Sequence, residues 1–107
     1  MAENNPFSLT GKVIVVTGAT GILGEAFVHA IAAAGASVVM LGRNEEVGND
    51  RMNQLKGMGH DAIFIKADVL IEGDLGKARD EVMQKWGRID GLVNAAGGNV
   101  AEAVIPP

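Results

Sequence analysis

Four short apolar runs alternate with three longer stretches in which apolar residues recur every three or four positions. The runs are Lys12 to Thr17, Ser37 to Leu41, Ala62 to Ala67 and Ile89 to Ala95. Lys12 to Thr17 is β-branched and without polar alternation, which suits a strand covered on both faces in a parallel sheet. Ile22 to Ala34 places Ile22, Ala26, Phe27, Ala30, Ile31 and Ala34 on one stripe, and Gly35 stands where a C-terminal cap belongs. Asn44 can cap a second helix carrying Val47, Met52, Leu55 and Met58 before Gly59, with Gly48 weakening it. Leu75, Ala78, Val82 and Trp86 mark a third helix that ends at Gly87.

The order βαβαβαβ with short connections predicts an α/β fold, a Rossmann-type doubly wound parallel sheet truncated after strand 4. Right-handed crossovers favour the strand order 3-2-1-4, with a flavodoxin-like order open. The only prolines, Pro6, Pro106 and Pro107, lie at the ends, so none interrupts the elements between them. Residues 1–107 are expected to form a single domain, with 1–6 and 100–107 flexible.

Candidate chemistry concentrates in Thr17-Gly18-Ala19-Thr20-Gly21-Ile22-Leu23-Gly24, between the first strand and the first helix. Glycines at this place let the chain turn without a Cβ, bring backbone N–H groups near a pyrophosphate and pack the helix closely on the strand. A purely structural glycine turn remains the alternative reading of this stretch. The surrounding strand-turn-helix order, with the next strand ending about 20 residues on, favours a dinucleotide site.

Composition narrows the classes further. With 107 residues, 48% of them hydrophobic, the chain can bury one modest core. A net charge of −4 offers no basic surface for nucleic acid or anionic lipid. The absence of cysteine removes disulfides, thiolate metal sites and a thiol nucleophile, and accords with a cytoplasmic location. Neither a signal peptide nor a membrane span is read from the sequence. His29 and His60 share no ligand spacing, so no metal site is expected. Met40, Met52, Met58 and Met83 are expected to fill core gaps. Asp74 is expected to support the start of the third helix, while Glu72, Asp80 and Glu81 form a solvated face.

Four pieces together resemble the short-chain dehydrogenase/reductase family from Phe7 onward. They are Gly11-Lys12, the Thr17 to Gly24 turn, Ala67-Asp68-Val69 and Asn94-Ala95-Ala96-Gly97. The family's usual turn is T-G-x-x-x-G-x-G, whereas here the middle glycine falls one place early. Asn94-Ala95-Ala96-Gly97 resembles the N-N-A-G of the classical branch. The resemblance implies that Gly18, Gly21, Ile22, Leu23 and Gly24 line the pyrophosphate, with Thr20 offering a hydroxyl. It further implies that Asp68 accepts from the adenine amino group and Val69 flanks the ring. Asn94 would tie strands together, while Ala95, Ala96 and Gly97 let the cofactor pass. Read without the family, Asp68 is equally a turn residue after a strand.

At the end of the second strand an acid would accept from the ribose 2′-hydroxyl, whereas an arginine accommodates a 2′-phosphate. Here Gly42 replaces the acid and Arg43 follows, so NADP is expected in preference to NAD, although the family's basic residue in the glycine turn is missing. The alternative is that Arg43 is a solvated loop residue.

The resemblance implies hydride transfer assisted by a tyrosine, a lysine and a serine that follow the fourth strand. The chain contains no tyrosine and stops at Pro107. It is therefore expected to be the cofactor-binding half of an NAD(P)-dependent oxidoreductase and inactive alone. Asn94 to Gly97 with the trailing Gly98-Asn99, together with the Thr17 to Gly24 turn, resembles the D-mannonate oxidoreductase (fructuronate reductase) branch, which implies a sugar-acid substrate; a glycine-rich loop with no bearing on substrate is the alternative. A non-catalytic dinucleotide-sensing module is the alternative function. A methyltransferase shares the first glycine turn but would not be expected to carry Asn94-Ala95-Ala96-Gly97. An exposed edge on the fourth strand is expected to drive homo-oligomer formation.

Overall fold

The computed structural model of the chain describes residues 8–68 and 70–95. The expected flexible segments 1–6 and 100–107 lie outside them. Four strands and three helices alternate: β1 (Val13–Thr17), α1 (Ile22–Ala33), β2 (Ser37–Gly42), α2 (Glu45–Gly57), β3 (Ala62–Lys66), α3 (Glu72–Trp86) and β4 (Gly91–Asn94). All pairings are parallel and the sheet runs β3-β2-β1-β4. Val15 of β1 lies opposite Val39 of β2 and Leu92 of β4, which places β1 in the interior and its C-terminal turn at the middle of one sheet end.

Because successive strand residues point to opposite faces, the apolar runs supply two cores at once. Ile14, Val16, Val38 and Met40 face α1 and α2, where Val28, Ile31, Ala32 and Leu55 complete the cluster. Val13, Val15, Val39 and Leu41 face the other way and pack with Ala78 and Val82 of α3. The result is three layers, helix on sheet on helix, with β1 and β2 buried along their lengths. No helix among the described residues is long and apolar enough to cross a membrane.

The helix caps follow the sequence closely. Asn44 Oδ1 accepts from the Val47 N–H at 3.1 Å, and Gly87 closes α3 in the left-handed conformation. Other expectations need correction. The buried side of α1 is Gly24, Val28, Ile31 and Ala32, whereas Ile22, Ala26 and Ala30 of the expected stripe are exposed. Close approach sets this phase, because a Cβ on Gly24 would overlap the Gly18 carbonyl and the Ala19 backbone. The helix therefore sets Gly24 against the turn, with Val28, Ile31 and Ala32 on the same side. Gly48 weakens α2 in propensity, yet it is buried against the Phe64 ring, which a Cβ there would strike. Met40 lies in the core and Met52 packs at its margin, but Met58 and Met83 are exposed.

β4 begins at Gly91 rather than Ile89, and Asp90 just before it is tied to β1 by its N–H, which donates to the Val13 carbonyl at 2.8 Å, and by its side chain. Its Oδ2 accepts from the Val13 N–H at 2.8 Å, and Arg88 donates to both carboxylate oxygens at 2.7 and 2.8 Å. The Arg88 hydrogen bond, followed by that from the Val13 amide, holds the Asp90 carboxyl below its ordinary range. A carboxyl whose pKa is lowered by folding contributes stability above its unfolded pKa and loses it as pH falls through the folded value. The urea midpoint of Asp90→Asn should therefore lie below that of the unmodified chain at pH 7, with the gap closing on acidification below the ordinary carboxylate range. A gap that is constant from pH 7 to pH 3 would contradict this assignment.

Candidate dinucleotide-binding site

The C-terminal ends of all four strands open onto one cleft of about 560 Å³, within the size range of small-molecule sites. Gly18, Thr20 and Gly21 enter it from the turn after β1, and Gly42 and Arg43 from the end of β2. Ala67, Asp68 and Leu70 come from the segment after β3, and Asn94 and Ala95 from the end of β4. Strand order places this cleft between β1, whose connection through α1 runs over one face, and β4, reached through α3 on the other, the position at which open α/β sheets bind ligands.

Each wall has a local cause. Gly18 turns the chain at φ +69°, a conformation that side chains disfavour. The Ala19 N–H then bonds to the Leu41 carbonyl at 3.0 Å, so the turn is sewn to the end of β2. Gly21 is the N-cap of α1 and contributes no side-chain cap. Among the described residues no acceptor takes the N–H groups of Thr20, Ile22, Leu23 or Gly24. A helix start with free amides and the positive end of its dipole suits a phosphate. These are the features a dinucleotide's pyrophosphate needs, and the turn supplies them from its own backbone.

Asp68 is half-buried and held from two sides. Its Oδ1 accepts from the Leu70 N–H at 2.9 Å, and its own N–H donates to Asp74 Oδ2 at 2.9 Å. Asp74 thus supports the start of α3 by reaching back to the loop. Asp68 makes the turn that its position after a strand suggests, and it also lines the cleft. On the other side, the Thr17 hydroxyl donates to Asn94 Oδ1 at 2.9 Å and the Ala95 N–H to the Thr17 carbonyl at 3.0 Å, linking β1 to β4.

Of the remaining residues singled out in the sequence, Ile22 and Leu23 open α1 with exposed side chains, and Gly24 is buried beneath the turn. Val69, Ala96 and Gly97 lie outside the described residues. Arg43 is exposed at the cleft and has no hydrogen-bond or ion-pair partner among the described residues. His29 and His60 join no group of three or more metal-ligating side chains among the described residues. Two residues escaped the sequence reading. Leu70 lies in the cleft wall with its side chain exposed. Arg51 of α2 reaches back to the glycine turn, where its Nη1 donates to the Ala19 and Gly21 carbonyls at 2.5 and 2.7 Å. No local spacing announces that contact, since Arg51 follows the turn by thirty residues.

A family model for short chain dehydrogenases matches residues 12–105. The chain belongs to the short-chain dehydrogenase family. Among its relatives, the uncharacterized oxidoreductase UxuB of Bacillus subtilis (strain 168) is 34% identical over 97 residues, covering 91% of this chain and 35% of the relative. The crystal structure of a hydroxysteroid dehydrogenase from Escherichia coli superposes with a TM-score of 0.82 at 34% identity, over 86% of this chain and 39% of that one. A putative D-mannonate oxidoreductase from Haemophilus influenza, solved with bound NAD, gives a TM-score of 0.80 at 29% identity, over 86% of this chain and 33% of that one. The chain spans roughly a quarter to two fifths of the length of the curated relatives it matches. Short-chain dehydrogenases bind NAD(P), and the residues facing the cleft suit such a ligand.

Proposed function

We propose that these 107 residues form the dinucleotide-binding part of an NADP-dependent oxidoreductase. The observation that carries the reading is the set of amides of Thr20, Ile22, Leu23 and Gly24, without an acceptor among the described residues at the start of α1, beside a cleft reached by all four strands. Gly18, Thr20, Gly21 and the α1 start hold the pyrophosphate. Asp68, with Oδ2 unpartnered among the described residues, accepts from the adenine amino group. When bound, the nicotinamide supplies or receives the hydride. The chain contains no tyrosine, so the acid/base group that the family resemblance requires is not among these residues, and alone they turn over no substrate. A sugar acid is the substrate class we assign to the whole enzyme, supported by the Asn94 to Asn99 sequence and by the likeness to the putative D-mannonate oxidoreductase. Equilibrium titration with NADPH, NADH and S-adenosylmethionine tests the reading. Binding of S-adenosylmethionine alone, or of none of the three, would reject it.

NADP is favoured because Gly42 offers no carboxylate to a 2′-hydroxyl, while Arg43 is exposed and available to a 2′-phosphate. A charge-assisted contact of this kind is worth about 1 to 3 kcal/mol. The unmodified chain should thus bind NADPH more tightly than NADH, and Arg43→Ala should remove the difference. The bound NAD of the structural relative makes the comparison of both cofactors at low salt the deciding measurement. Equal affinities in the unmodified chain would reverse the assignment.

A further inference from the structure

We propose that Arg51 is the positioning residue of the phosphate cradle: it orients the glycine turn's amides without touching the ligand. The proposal rests on the dinucleotide reading of the site. Arg51 arrives from α2, whose start is fixed by the Asn44 cap and whose approach to the sheet is permitted by Gly48 against Phe64. Its side chain is largely buried, and Nη1 spends its two hydrogens on the carbonyls of Ala19 and Gly21. Glu25, one turn into α1, stands 3.9 Å from Nη2 and is half-exposed, so it adds little.

The consequence follows from peptide geometry. In a planar trans unit the C=O and the next residue's N–H point in opposite directions, and no cis bond occurs among the described residues. Drawing the Ala19 and Gly21 carbonyls toward Arg51 turns the N–H groups of Thr20 and Ile22 the other way. Those two amides are among the four without an acceptor. Arg51 itself does not line the cleft, whereas Gly18, Thr20 and Gly21 do. One guanidinium therefore fixes two peptide planes. The Gly21 carbonyl also accepts from the Glu25 N–H at 3.1 Å, whereas the Ala19 carbonyl has no other donor among the described residues, so the Ala19–Thr20 plane depends on Arg51 most. The buried positive charge also lies behind the turn, on the side away from the amides.

The test uses the 107-residue chain with Arg51→Met, which keeps length without donors, and Arg51→Lys, which retains a nitrogen able to donate to both carbonyls. Probes are ADP-ribose, which carries the pyrophosphate, and adenosine, which does not. Arg51→Met should weaken ADP-ribose by about tenfold or more while adenosine changes less than about twofold, and Arg51→Lys should recover most of the loss. A purely structural role would weaken both ligands alike, and that result, or no change in either, would overturn the proposal. Hydrogen exchange of the ligand-free chain gives an independent reading. In Arg51→Met the Ala19 and Gly21 amides should exchange about tenfold faster, with those of Val15 and Val39 unchanged. Unchanged exchange at the turn would overturn the role of Arg51 even if ADP-ribose binds. If the unmodified chain fails to bind ADP-ribose, the dinucleotide reading falls, and exchange rates alone then decide whether Arg51 holds the turn.

Discussion

Gly24→Val should destabilise the chain by about 1–3 kcal/mol and remove dinucleotide binding, the largest effect expected of any single substitution in the turn. The new Cβ would overlap the carbonyl of Gly18 and the backbone of Ala19, which are main-chain atoms and cannot swing aside as a flexible side chain would. Relief requires α1 to lift from β1. That movement would open the contacts of Val28 and Ile31 with the inner core and displace the amides at the helix start. Gly21→Ala is the matched control, since its Cβ would meet only the Gly18 carbonyl at an ordinary 3.6 Å. Gly21→Ala should keep the urea midpoint near that of the unmodified chain while weakening dinucleotide binding, because the methyl group enters the cleft. Equal midpoints for Gly24→Val and Gly21→Ala would show that helix and strand do not approach as closely as described.

The same glycine marks what could and could not be read from the sequence. Strand identity and the helix caps were legible because they depend on local chemistry, whereas the strand order, favoured by crossover handedness with a flavodoxin-like order open, is decided by the pairings. Uninterrupted Val and Ile runs mean a strand buried on both faces, Asn44 starts a helix through its side chain and Gly87 ends one through its backbone. The face of α1 was legible only in part: Ile31 is buried and Phe27 packs against the core, but weighing positions by side-chain size also favours the exposed Ile22, whereas close packing favours Gly24 and Ala32. Size is the wrong criterion where a helix lies this near a strand. β4 starts two residues later than its apolar run suggests, because Ile89 is exposed and the register with β1 begins at Gly91. At the site, the glycine turn, Arg43, Asp68 and Asn94 fall around one cleft, and these belong to motifs with short sequence spacing. Arg51 belongs to none, and only the packing of α2 brings it to the turn.

Cofactor choice should prove to depend on Thr20 as well as on the end of β2. Gly42→Asp alone is expected to weaken NADPH without gaining NADH, even though it restores a carboxylate at the place where one would accept from a 2′-hydroxyl. The cause is steric. A Cβ at position 42 would lie 2.8 Å from Thr20 Cγ2 and 2.9 Å from its Oγ1, so the new side chain and Thr20 compete for one space. Removing that obstacle in the double variant Gly42→Asp with Thr20→Gly should let the carboxylate settle against the ribose. There it would accept from the 2′-hydroxyl of NADH and repel the 2′-phosphate of NADPH, moving the ratio of affinities toward NADH by roughly 10- to 100-fold. Thr20→Gly alone should leave the preference with NADPH, because Arg43 remains. The two substitutions should therefore be coupled by about 0.5–3 kcal/mol in a double-mutant cycle, as residues sharing one space usually are. Titration of the four chains with both cofactors measures this directly. Additive effects, or a full switch to NADH by Gly42→Asp alone, would show that Thr20 yields freely and that the acid at position 42 decides the matter by itself.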